Sequence, residues 1–255
     1  MKKILFIFSI LAACYATTAS AQPAAVRNLW DAANTAYSQT DYKQAILYYD
    51  SIQTLGYTSY KLHYNLGNAY FKDGRMGPAI LNYERALDLR PSDSDVKHNL
   101  RIANGYVKDK IESVPEFFLS TWIRSWRMSL SSNAWAAVSV CFFALTLTAA
   151  LLYLLSGRIV WRKVGFYTAI ASLAMFIITL TFSAMERNDM LYPEEAIVMQ
   201  GSAAVKSSPD NGSKELFIIH EGTKVKVVRE IGQWIEIMIA DGNKGWVSGS
   251  AIEMI

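Results

Sequence analysis

Side chains able to do chemistry are few and scattered in this 255-residue chain. Its three histidines are His63, His98 and His220, and none belongs to a motif with a nucleophile or paired carboxylates. His220 reads as a strand residue beside a turn; no second His, Cys or carboxylate stands near it at ligand spacing, so no metal is assigned. The two cysteines, Cys14 and Cys141, fall in an N-terminal targeting segment and in an apolar run. Neither exported part therefore uses a disulfide or a thiolate metal site, and Cys141 reads as a small apolar residue of a membrane helix. No glycine-rich loop is built to cradle a phosphate. The chain is accordingly read as no enzyme, with no catalytic residue and no cofactor. Its net charge of +3 forms no basic stripe, which argues against nucleic acid. Binding is the chemistry left.

The elements that would do the binding repeat. Asn34, Ala45 and Tyr49 recur 34 residues later as Asn68, Ala79 and Tyr83, and Tyr37 recurs as Phe71. The pattern from Val26 to Lys110 is helical. In the second unit Gly67 allows two helices to approach, Asp73-Gly74 makes the turn, and Pro78 sits early in the next helix, where its missing N–H costs nothing. Tyr83, Ala86 and Leu89 continue the apolar face and Pro91 closes the unit. The first unit has Ala33 in place of Gly67 and ends at Gly56. A further helix, Val96 to Lys110, caps the stack. Residues 22–112 closely resemble the tetratricopeptide family. The resemblance implies a groove lined by the first helix of each unit, and so by Trp30, Asn34, Tyr37, Tyr64, Asn68, Phe71, Lys72, His98 and Arg101. The two asparagines either bond a ligand backbone or serve caps and inter-repeat bonds. The members that clamp carboxylates carry a cation where this chain has Trp30 and Tyr64, which argues against that use.

Residues 1–21 read as a secretory signal, with Lys2 and Lys3, a short apolar run, and Ala19-Ser20-Ala21 before the cut. A rival reading takes Leu11-Ala12-Ala13-Cys14 as a lipobox. Two charge-free runs, 134–155 and 164–182, are long enough to cross a bilayer. The turn between them, 156–163, holds Arg158, Arg162 and Lys163 and is expected on the cytoplasmic side. Both ends of the chain are then exported. Residues 113–133 hold Phe117, Phe118, Trp122, Ile123 and Trp126 at helical spacing, with Arg124 and Arg127. They form either a helix lying on the bilayer surface or one packed on the repeats. Among the small residues of the second run, Ala169, Ala171 and Ala174 permit close packing of the pair.

After a linker, 183–194, alternation replaces the helical period. Ala196–Met199, Lys224–Val228 and Trp234–Ile239 read as strands separated by Gly-, Asp- and Asn-rich turns. Val205-Lys206-Ser207-Ser208-Pro209, His220-Glu221-Gly222-Thr223, Trp234 and Gly245-Trp246-Val247 resemble a bacterial SH3-like domain over 195–255. Such domains bind peptides or cell-wall stem peptides, so Trp234 and Trp246 are surface candidates; filling the core of a barrel this small is the other reading. Wall-cleaving enzymes with similar barrels carry a catalytic partner domain that this chain lacks.

The fold class expected is multidomain: all-α helical repeat, two-helix transmembrane hairpin, all-β small barrel. That order resembles the BatE-type family of the aerotolerance operon of some Gram-negative bacteria. The resemblance implies a periplasm-facing inner-membrane scaffold whose partners are other Bat-type membrane proteins, with von Willebrand A domains or repeats, and a MoxR-type ATPase. A cell-wall sensor reading peptidoglycan peptides through the barrel is the alternative.

Overall fold

The computed structural model describes residues 23–112, 118–191 and 194–255. The leader expected over 1–21, with Cys14, lies outside these residues, as does Phe117. Residues up to Tyr57 form one compact unit and those from Thr58 another.

The first unit contains a helix pair, α1 (Ala24–Ser38) and α2 (Tyr42–Thr54). Asp41 starts α2 by accepting the Gln44 N–H at 3.1 Å, which satisfies one of the four orphan donors of a helix start. Ala33, Ala45, Tyr49 and Ile52 are buried between the two helices.

The second unit opens with α3 (Tyr60–Lys72), α4 (Met76–Leu89) and α5 (Ser94–Tyr106). Ser59 and Asp93 cap α3 and α5 through their side-chain oxygens. At Gly67 the helices come so close that a Cβ would stand 2.6 Å from the Tyr83 ring. Every residue of α4 from Gly77 to Tyr83 is buried, so this helix is covered on all sides. The capping helix stops at Tyr106 rather than Lys110. Asn104 and Gly105 are weak helix formers, and the Lys110 ammonium turns back to bond their carbonyls at 3.4 and 2.9 Å.

Two helices are long and apolar enough to cross a membrane, α7 (Ser132–Leu155) and α8 (Ile159–Leu191). They pair as a hairpin, yet only 11% and 17% of their apolar windows are buried, which is the reverse of a soluble core. Their contact follows a seven-residue rhythm. On α8 the buried positions are Gly165, Ser172 and Thr179. On α7 they include Ser139 and Ala149. The Thr146 and Ser172 hydroxyls meet at 2.9 Å across the seam. Of the alanines that permit close packing, Ala171 and Ala174 are exposed and Ala169 is half-buried. The small residues that matter recur by sevens, a spacing that leaves the neighbouring alanines on the lipid side. A Cβ on Gly165 would lie 2.7 Å from the Ala149 carbonyl oxygen and the Tyr153 nitrogen, both backbone atoms that cannot step aside. Gly165→Leu is therefore expected to part the helices. In a Cys141→Ala background, a disulfide between Thr146→Cys and Ser172→Cys should form readily, drop at least about fivefold with Gly165→Leu, and persist with Ala171→Leu.

The linker expected over 183–194 is helical as far as Leu191, and the turn expected over 156–163 shrinks because α8 starts at Ile159. No glycine or proline interrupts 183–191, and the extension is fastened to α7 and the residues before it. Ser132 and Ser183 exchange hydroxyl-to-carbonyl bonds at 2.9 and 3.0 Å. Arg127 pairs with Glu186 at 3.3 Å and Asp189 at 2.6 Å. Just before α7, the short helix α6 (Phe118–Arg127) leaves Trp122, Ile123 and Trp126 exposed, with the two indoles 5.5 Å apart.

Seven antiparallel strands complete the second unit: β1 (Glu195–Val198), β2 (Ser202–Lys206), β3 (Glu215–His220), β4 (Lys224–Ile231), β5 (Trp234–Met238), β6 (Lys244–Ser248) and β7 (Ile252–Met254). Their order is β3-β2-β6-β5-β4-β1-β7. Every strand sends at least one residue into a single core that includes Val198, Val205, Ile219, Val225, Ile237, Val247 and Ile252. The sheet thus curls into a barrel.

Candidate functional site

The repeated asparagines use their side chains inside each helix pair. In the first unit the Tyr49 hydroxyl donates to Asn34 Oδ1 at 2.6 Å, and in the second the Tyr83 hydroxyl donates to Asn68 Oδ1 at 2.8 Å. The same 15-residue bond recurs because both partners recur in the sequence. Asn68 Oδ1 also accepts the Asn99 Nδ2–H at 2.9 Å, which ties α3 to α5 and uses its second lone pair. Of the two roles open to these asparagines, helix-to-helix bonding is the one seen.

The other groove candidates divide between the two units. Trp30 rests edge-on against Tyr49 and Tyr37 against Tyr42. On α3, Tyr64 is half-buried and stacks on Tyr60 with near-parallel rings 6.1 Å apart. Phe71 meets Tyr106 of α5 edge-on at 5.8 Å. Lys72, His98 and Arg101 are exposed. Tyr106 and Ile102, 66% and 40% exposed, join this α3–α5 face without having been expected there. The contact with Phe71 brings Tyr106 beside the groove residues.

The barrel tryptophans are not open. Trp234 and Trp246 are 9% and 5% exposed, yet both stand outside the central core, on the outer sheet face. The Lys206 ammonium lies 5.6 Å over the Trp234 ring and the Arg229 guanidinium 5.0 Å over the Trp246 ring. Arg229 is itself held by Glu236 at 2.6 Å. Any ligand stacking on either indole would first displace its cation.

A second group of polar residues joins the repeats to the barrel. Asp109 is its centre. Its Oδ2 accepts the His220 backbone N–H and the Thr223 hydroxyl, each at 2.7 Å, and its Oδ1 accepts the His220 Nδ1–H at 2.7 Å. Burial alone would raise this carboxyl, but these hydrogen bonds and the His220 ring outweigh it and hold the group below the usual aspartate range. Beside it Gly77 N–H donates to Glu221 Oε1 at 2.8 Å, and Arg85 donates to the Met254 carbonyl at 2.6 Å. Lys224 bridges Glu84 at 3.2 Å and Glu195 at 2.7 Å. Burial would lower this ammonium, and the two carboxylates raise it instead. Apolar contact completes the joint: a Cβ on Gly222 would lie 2.9 Å from Val107 and 3.0 Å from Ile80. Partners from the repeats and the barrel are more than 100 residues apart in sequence, so no spacing rule could have brought Asp109 and His220 together.

His63 has no surface role. It is buried, with Nδ1 3.0 Å from Asn82 Oδ1 and Nε2 2.8 Å from the Thr58 hydroxyl. Asn82 donates its own Nδ2–H to the Pro78 carbonyl, so its oxygen accepts and His63 carries its proton on Nδ1. Burial, helped by Arg85 and opposed by Asn82, pulls this imidazole below its ordinary value. A depressed histidine stabilises the fold above the unfolded value of about 6.5, and that stabilisation is lost as pH falls toward the folded one. Within that window stability should fall by roughly 1.4 kcal/mol per pH unit. Thermal melts of the full chain between pH 7.5 and 5 should show the slope, and His63→Gln should flatten it.

Among the described residues no group of His, Cys, Asp or Glu could hold a metal ion. Comparison with protein families matches residues 60–93 to the tetratricopeptide repeat and residues 201–253 to the bacterial SH3 domain. Comparison with curated proteins finds no match. The first matched segment covers α3 and α4, and the second covers most of the barrel. Both are families of binding modules, so the chain combines a helical interaction repeat and an SH3-type barrel with two apolar helices between them.

Proposed function

We propose that the protein is a non-enzymatic, membrane-anchored adaptor. The α3–α5 face receives a segment of a partner protein, and the α7–α8 hairpin fixes the assembly in the inner membrane with both binding modules in the periplasm. The observation that carries this reading is the placement of the barrel. It docks through α4, by way of Gly77, Glu84 and Arg85, and leaves Lys72, His98, Ile102 and Tyr106 exposed on the neighbouring helices. A repeat whose second helix is covered and whose first-helix face stays open is arranged for capture. The basic residues Arg158, Arg162 and Lys163 between the spans support a cytoplasmic turn. The exposed Trp122 and Trp126 of α6, next to α7, support a helix resting at the bilayer surface. The order of modules, with its resemblance to the BatE-type family, supports a Bat-type aerotolerance complex. The partners would be von Willebrand A-domain and repeat proteins, with a MoxR-type ATPase.

Affinity purification from crosslinked membranes tests this reading. Wild-type protein should bring down other membrane proteins, and Tyr64→Ala with Lys72→Glu should lose them. Asn68 is left intact because its oxygen holds the helix pair together. Recovery unchanged by the double variant would reject the groove. The match to the bacterial SH3 domain supports a second reading, in which the barrel binds peptidoglycan peptides. It predicts retention of the full chain on purified sacculi, and failure to be retained would end it.

A further inference from the structure

The strand β3 is an open end of the sheet and hydrogen-bonds to β2 alone. Its His220 N–H points away from β2 and is taken by Asp109. Backbone direction alternates along a strand, so the N–H and C=O of Ile218 point the same outward way; at Leu216 the pairing with β2 shifts register in a bulge, which interrupts the alternation. Among the described residues no main-chain bond meets the Ile218 groups there. Both side chains are exposed, Leu216 at 48% and Ile218 at 54%, while Phe217 and Ile219 turn toward the core. An exposed apolar edge is a template for another strand, and proteins ordinarily blunt it with charge, proline or a cover. Among the described residues, only the His220 end is blunted here.

Alongside this edge lies an open cleft of about 690 Å³, walled by Lys108 to Ile111 on one side and by the β5–β6 turn, with Asp241 and Lys244, on the other. Three lysines are among its lining residues, Lys108, Lys110 and Lys244. None of the three makes an ion pair among the described residues; Lys108 stands 3.0 Å from His220 Nε2 and Lys110 bonds carbonyls. Its two carboxylates are already engaged. Asp109 accepts three bonds, and Asp241 accepts the Asn243 N–H and Nδ2–H, each at 2.9 Å. The cleft therefore presents cations and an unpaired strand edge together.

We propose that this cleft is a second binding site, separate from the α3–α5 face, and that it takes an extended acidic segment of a partner protein as an added strand on β3. Main-chain bonds to Ile218 would hold the segment, the exposed side chains of Leu216 and Ile218 would meet apolar residues of it, and the lysines would select carboxylates. A protein strand is favoured over a wall peptide because the edge offers the outward N–H and C=O of Ile218 and two exposed apolar side chains two residues apart.

The test uses the full chain in nanodiscs and fluorescence anisotropy. The probe is a labelled seven-residue peptide alternating glutamate and valine. Its comparators are the same peptide with lysine for glutamate, an acidic version N-methylated at alternate residues, and a soluble disaccharide–tetrapeptide from the wall. The acidic peptide should bind, weaken with added salt, and lose about fivefold or more in affinity with Lys244→Glu. The lysine and N-methylated peptides should fail. Equal binding of the lysine peptide, or undiminished binding of the N-methylated one, would overturn strand addition by an acidic segment. So would failure of the acidic peptide, or binding by the wall fragment alone.

Discussion

Gly67→Ala should destabilise the α3–α4 pair by about 3 kcal/mol, a large share of what holds a domain folded. The added Cβ would fall 2.6 Å from both Cδ1 and Cε1 of Tyr83. That ring is 1% exposed and its hydroxyl is committed to Asn68, so it cannot turn aside without breaking the bond. Overpacking and the broken hydrogen bond therefore add. Gly105→Ala makes the control. It sits in α5 with nothing within 4 Å of its would-be Cβ, and there alanine should stabilise by up to about 1 kcal/mol through helix propensity. Thermal melts of the full chain should move in opposite directions for the two variants. A Gly67→Ala protein as stable as wild type would mean that the helices do not cross as described.

Asp109→Ala should release the barrel from the repeats while leaving each folded. The substitution removes the acceptor of three hydrogen bonds at once, and the His220 N–H and Thr223 hydroxyl lose their partner. An orphaned buried donor costs about 1–3 kcal/mol, so the joint should weaken by more than any single contact within it. Amide exchange should quicken at Gly77 and His220, whose N–H groups bond across the joint, and hold steady in the β5–β6 ladder. Acid should imitate the substitution. A depressed carboxyl contributes stability above its unfolded value of about 3.9 and gives it up as pH falls through the lower folded one. Undocking is thus expected below about pH 4 in wild type and should be absent as a separate step in Asp109→Ala. Unchanged exchange at His220 in the variant would show that the joint rests on its apolar contacts alone.

What could be read from the residues follows the range of the interactions. The helix pair was legible because Gly67, Ala79, Tyr83 and Pro91 act on neighbours one helix away, and length and lack of charge were enough to mark both apolar spans. Four of the seven strands could not be delimited from the sequence, although His220 at the end of β3 reads as a strand residue. β2, β3, β6 and β7 are 3 to 6 residues long, and stretches such as Ser202-Ala203-Ala204 have little strand preference until the barrel core buries them. Smallness alone does not mark the seam of the hairpin: Ala169, Ala171 and Ala174 permit close packing, but it is the spacing of Gly165, Ser172 and Thr179 by sevens that identifies the buried stripe. Trp234 and Trp246 illustrate a different limit. Their type suits a core or a surface equally, and only the positions of Lys206 and Arg229 show that both are covered. The joint centred on Asp109 was out of reach, since its partners lie over 100 residues away across the membrane hairpin.

The claim that the α3–α5 face holds the partner is tested most directly by photocrosslinking in intact membranes. A photoreactive residue placed at exposed His98 should give discrete adducts with other membrane proteins, and Lys72→Glu in the same chain should abolish them. Adducts arising only from the barrel, or only with wall fragments, would contradict the account and move the binding function to the C-terminal module.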